Sequence, residues 1–252
     1  MLSGQGEIDL SLRCSIPILT AVLVLLPATA LAQQFNLDLG ESGPLTGRLV
    51  QLIVLVTVLA LAPSILVVLT SFTRIVIVLS LLRSAMGVQQ TPPNVVLISL
   101  ALFLTAFVMA PTLQRVYDNG IEPLINEEIE EREAFARSIE PIHEFMRRHV
   151  REDDLVMFMD MAEIDPPAAA EEIPLRALIP AFLISELRRA FEIGFLLFIP
   201  FLVIDMVVAS VLMSMGMMML PPIIISLPFK LIFFVLVDGW KLVSESLVQS
   251  FG

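Results

Sequence analysis

With 252 residues, 57% of them hydrophobic and 16% charged, and a mean hydropathy of +0.88, the chain lies well beyond the apolar share of an ordinary soluble domain. Its single cysteine excludes a disulfide scaffold, and a net charge of −11 gives no basis for a nucleic-acid partner. Membrane lipid is the principal solvent that this composition implies.

Residues 1–32 read as a signal peptide. The run from Ile16 to Leu26 is too short to span a bilayer, follows Arg13, and leads into the small-residue pattern Ala30-Leu31-Ala32 before Gln33. Glu7 and Asp9 dilute the basic start, and Pro17 and Pro27 interrupt the apolar stretch, so an uncleaved anchor is the alternative. Cys14 lies in this leader, and cleavage would leave a mature chain without a thiol nucleophile or ligand. A short periplasmic segment, 33–47, is expected next.

Residues 48–112 read as a first apolar helical hairpin. No charge interrupts Leu49 to Thr73, a length sufficient for a helical span. The chain is expected to return around Arg74, Arg83 and Thr91-Pro92-Pro93-Asn94, with Val95 to Ala110 leading back out. Those arginines fit the cytoplasmic side and put the next segment in the periplasm, although Arg188-Arg189 and Lys241 then fall on the external side.

Residues 113–179 read as a small acidic periplasmic helical domain, because nearly all the net charge lies between Arg115 and Arg176. Pro123 is expected to open a helix through Arg137, Pro141 another through Arg151, and Asp153-Asp154 to cap a third from Leu155 to Ile164. A loop follows from Asp165 to Glu172. The acidic clusters read as solvated helix faces with i,i+4 pairs such as Glu133 with Arg137. His143 and His149 are six residues apart, on different helix faces, which does not suit a metal pair.

Residues 180–252 read as a second apolar hairpin with a methionine loop and a C-terminal helix. From Phe195 to Phe229 the only charge is Asp205. Pro63, Pro111, Pro200, Pro221, Pro222 and Pro228 interrupt or bound apolar segments, so kinked helices packed on protein are expected. On a wheel of Phe182 to Phe195, Ser185, Arg188, Arg189 and Glu192 share one arc, while Glu186 falls among the apolar residues. Lys230 is alone among apolar neighbours from Ile223 to Val237. The expectation is that Glu186 and Lys230 pair, within a subunit or across a boundary; the alternative is that both snorkel to the interface. Asp205 is a possible intramembrane carboxylate, either a proton relay or a protonated group held by a hydrogen bond. In Met213 to Pro222, Met217, Met218 and Met219 stand between Gly216 and a double proline. Flexible thioethers suit either a yielding seal around an axis or plain gap-filling in a buried turn.

These residues carry a family resemblance. Pro180-Ala181-Phe182-Leu183-Ile184-Ser185-Glu186-Leu187 through Phe191-Glu192-Ile193-Gly194-Phe195 resembles the signature of the FliP family. Pro228-Phe229-Lys230-Leu231 through Val237-Asp238-Gly239-Trp240 is similar to the family's second motif, with Gly216-Met217-Met218-Met219 and Pro221-Pro222 between them. Thr70 to Arg74 and Gln89 to Asn94 resemble the family too, whereas the leader and acidic segment carry little distinctive sequence.

The resemblance implies an all-α integral membrane protein of kinked helical hairpins, raised partly out of the bilayer and assembling as a helical ring. It would be a homo-pentameric ring in the bacterial inner membrane at the flagellar basal body, joined by FliR-type and FliQ-type subunits and by FlhB-type and FlhA-type export proteins. The ring would pass unfolded flagellar proteins, with Met217, Met218 and Met219 as a pore gasket. No nucleotide motif is present in the sequence, so an ATPase and a proton-driven partner would be separate proteins, and no cofactor is suggested. An injectisome export-gate subunit is the neighbouring alternative. A small secondary transporter would show inverted repeats, for which the chain has no convincing internal similarity. An intramembrane enzyme would need a grouped nucleophile, base or metal set that the sequence does not offer.

Overall fold

The computed structural model describes residues 45–88, 90–164, 173–217 and 219–252. The leader, most of segment 33–47, the loop 165–172 and Met218 lie outside the described residues. Contacts divide the chain into a unit ending at Leu55 and a unit from Val56 to Gly252. In the first, helix α1 begins at Leu45, and it runs on to Leu69 with Pro63 inside it.

In the second unit every element among the described residues is a helix, joined by turns and short loops. Helix α2 (Phe72–Ala85) is short but central: Ile75, Val78, Leu79 and Leu82, spaced three and four apart, are fully buried. It packs on α3 (Asn94–Val116) and on α7 (Leu175–Ser214), a 40-residue helix that carries Pro180 and Pro200 within it. The α2–α7 approach requires Gly194, where a Cβ would fall 2.3 Å from Cδ1 of Leu81. After the methionine loop, α8 (Pro222–Leu236) bends by 63° into α9 (Gly239–Gln249) at Asp238, whose φ of 52° is left-handed.

Two apolar cores result. The first joins α2, α3, α7, α8 and α9 through residues such as Leu79, Leu97, Phe201, Phe234 and Leu247. The second, with Met109, Phe145, Met146, Leu178 and Phe182, ties the acidic segment to α3 and α7. Outside these cores, much apolar surface stays open: Phe195, Leu196, Met206 and Val207 of α7 and Val235 and Leu236 of α8 are all more than half exposed. Asn94–Ile125 and Leu175–Ser214 are each long and apolar enough to cross a membrane, and two bent pairs reach that standard when each is taken as one span.

The acidic segment departs from expectation in its helix boundaries. The helix expected from Pro123 to Arg137 is split. A π-turn at Tyr117–Ile121 and α4 (Glu122–Ile125) end in a reversal where Glu127 has φ of 57°, and α5 (Glu131–His149) starts afresh. Pro141 does not open a helix but lies inside α5. Proline costs a helix interior roughly 3 kcal/mol, and the amphipathic face that buries Ala134, Pro141, Phe145 and Met146, the last two within the second core, offsets it. Asp153 and Asp154 sit within the first turn of α6 (Glu152–Met161) rather than before it, where their charge favours the helix N-terminus.

Glu144 on α5 takes ion pairs from Arg115 of α3 and Arg148 one turn on. The hydrogen bond from Arg115 is the largest influence, and together with Arg148 it holds the Glu144 carboxyl below its ordinary value against the opposing effect of desolvation. A depressed carboxyl contributes stability above its unfolded pKa, about 4.3, and loses it as pH falls through the lower folded value. Thermal unfolding in detergent should therefore show a smaller loss of midpoint for Glu144→Gln than for the wild type when pH is lowered from neutral to acid.

Candidate functional site

Three buried polar clusters and one loop stand out from the apolar framework. At the start of α2, Arg74 is 1% exposed and meets the fully buried Glu186 of α7 in a bidentate pair, Nε to Oε2 at 2.8 Å and Nη2 to Oε1 at 2.5 Å. Its remaining nitrogen, Nη1, donates to the Ser250 carbonyl at 2.9 Å and to Ser250 Oγ at 3.0 Å. The guanidinium carbon lies 3.7 Å from the centroid of the Phe251 ring. Phe251 in turn stacks on Phe145 at 6.2 Å, and its carbonyl lies 3.3 Å from Nε2 of His149. One ion pair thus binds α2, α7, α5 and the residues after α9.

The second cluster joins α7, α8 and the end of α2. Lys230 Nζ donates to Asp205 Oδ2 at 2.7 Å and to the Ala85 carbonyl at 3.2 Å, and Ser226 Oγ donates to Asp205 Oδ1 at 2.6 Å. Burial is uneven: the Lys230 side chain is 4% exposed and that of Asp205 37%. In the third cluster, Ser185 Oγ donates to Asp154 at 2.7 Å and accepts from the Arg151 backbone N–H at 2.9 Å, fixing α6 on α7.

The expected pairing of Glu186 with Lys230 within one subunit is corrected here. Both side chains are buried, but within the chain each is satisfied by a nearer partner, Arg74 for Glu186 and Asp205 for Lys230. The physical reason is geometric fit. Arg offers a planar fork that matches a fully enclosed carboxylate, whereas Lys brings a point charge that Asp205 and one carbonyl suffice to hold. Arg74 also leaves the count of turn arginines that orients the first hairpin, since it is enclosed, while Arg83 stays at the turn and donates to Asn94 Oδ1 at 2.5 Å. Arg74, Ser226 and the Ser250-Phe251 pair are the residues that sequence reasoning missed. A lone Arg ending an uncharged run from Leu49 was the available signal for the first.

The loop from Met215 to Pro221 leaves α7 through Gly216 at φ of 74°, with the Met217 N–H bonded back to the Leu212 carbonyl at 3.0 Å. Its side chains project: Met219 is 98% exposed, Met215 65% and Met217 42%.

Comparison with known proteins gives these features a setting. A family model described as the FliP family matches residues 55–247, a stretch that includes both charged pairs and the loop. A flagellar biosynthetic protein FliP from Caulobacter vibrioides is 62% identical over 250 residues, which is 98% of this chain and 94% of the relative. The Bacillus subtilis protein of the same name is 57% identical over 202 residues, 80% of this chain and 91% of its own. That from Aquifex aeolicus is 52% identical over 204 residues, 80% and 85%. With one family model spanning the buried pairs and the methionine loop, and relatives identical at more than half of the aligned positions, the chain belongs to the FliP family.

Proposed function

We propose that the chain is a core subunit of the flagellar type III protein export gate, forming a ring through which unfolded flagellar proteins cross the inner membrane. One observation carries this reading beyond family membership. Apolar helices with much of their surface open flank a loop of exposed methionines, as a subunit would present if copies packed side by side and turned their loops toward a common axis. Buried ion pairs then fix the angle between α2, α7 and α8 so that each copy presents the same edge. FliR-type and FliQ-type subunits would complete the ring, with FlhB-type and FlhA-type proteins docking on it. The acidic segment would face the periplasm and the assembly would sit in the inner membrane.

In this reading Met217, Met218 and Met219 close the passage. Replacing all three by alanine should make cells expressing the gate measurably leaky to small ions at rest, and ion flux indistinguishable from wild type would contradict the gasket.

A further inference from the structure

The methionine loop groups three exposed thioethers on one turn, Met215, Met217 and Met219, the last of them the most exposed methionine among the described residues. Met161, Met206 and Met213 are open too, at 73%, 61% and 58%, but stand singly on helices, whereas Met146, Met109 and Met86 are 0%, 2% and 3% exposed. Between Met213 and Pro222 there is no charged, aromatic or cysteine side chain, so the thioethers are the oxidisable groups of the loop. Space is available around the turn, since a Cβ built on Gly216 would meet nothing within 4 Å.

We infer that Met215, Met217 and Met219 form a peroxide-sensitive modification site whose oxidation wets the closed passage. The inference rests on the reading of this loop as the constriction. In the reaction a sulfur lone pair attacks one oxygen of hydrogen peroxide and the O–O bond breaks. A sulfur–oxygen bond forms, and the second oxygen leaves as water after proton transfer. Sulfur loses two electrons and the peroxide gains them. The product is a polar sulfoxide with a strong acceptor oxygen on a side chain that had been apolar. An apolar constriction excludes ions because it is dry, and a ring of sulfoxides would hydrate it. Methionine sulfoxide reductases return the thioether, so the change is reversible.

The test uses membrane vesicles carrying the full chain with its co-expressed gate partners and brief exposure to dilute hydrogen peroxide. Peptide mass spectrometry should show sulfoxide at Met219 forming on the order of tenfold faster than at Met146, with Met215 and Met217 between them. Ion leak should rise with loop oxidation and fall after treatment with the reductases. A variant with Met215, Met217, Met218 and Met219 replaced by leucine keeps the loop apolar without an oxidisable sulfur, and its leak should not respond to peroxide. Equal oxidation of Met219 and Met146 would overturn the inference, as would the same peroxide response in the leucine variant. If the alanine loop leaks and the oxidised loop does not, the inference alone fails; if neither leaks, the constriction itself is refuted and the inference falls with it.

Discussion

Replacing Glu186 by alanine should destabilise the chain by about 3–5 kcal/mol, the cost of leaving one member of an enclosed ion pair without its counter-charge. Arg74 has no route of escape. It is 1% exposed, and a guanidinium does not give up its proton under any condition a protein survives. The Ser250 carbonyl and the Phe251 ring would remain as partners, but neither carries a formal charge. Because Phe251 packs on Phe145 and His149, the loss should spread to the acidic segment as well as to the α2–α7 contact. Two double variants sharpen the expectation. Arg74→Met with Glu186→Met removes both charges and should recover most of the lost stability, since an apolar pair of similar volume is often as good as a buried ion pair. Glu186→Lys with Lys230→Glu should recover nothing, because the two positions have different partners. Thermal unfolding in detergent reads all three, and recovery by the second double variant instead of the first would show the pairing to be wrong.

The Asp205–Lys230 pair should respond asymmetrically. Asp205→Ala leaves the enclosed Lys230 ammonium with only the Ala85 carbonyl, at a cost of about 3–5 kcal/mol. Lys230→Met leaves a carboxylate that is already 37% exposed and still receives the Ser226 hydroxyl, so the loss should be nearer 1–3 kcal/mol. Unfolding midpoints of the two variants, compared in one detergent, check the order. Equal losses would mean that the two groups share one environment.

The outline of this arrangement is legible in the sequence. Apolar runs uninterrupted by charge mark helices that water cannot solvate, and a wheel plot alone puts Glu186 on the wrong face of its helix. What sequence does not carry is the identity of partners. Glu186 and Arg74 are separated by 112 positions, and no local pattern distinguishes Arg74 from a loop cation that flanks a span. Lys230 and Asp205 stand only 25 apart, yet Asp205 looks like an isolated carboxylate until α7 and α8 fold back on each other. Pro141 misled for a related reason. Its local cost is real, but the buried face of α5 outweighs it, and that face exists only in the packed structure. The methionine loop was visible by composition, while its exposure, which gives the loop its proposed role, required the turn at Gly216.

Native mass spectrometry of the full chain, extracted in mild detergent alone and with co-expressed FliR-type and FliQ-type subunits, tests the export-gate reading most directly. That reading predicts a ring-sized homo-oligomer that takes up both partners. A stable monomer or dimer that ignores them would contradict it.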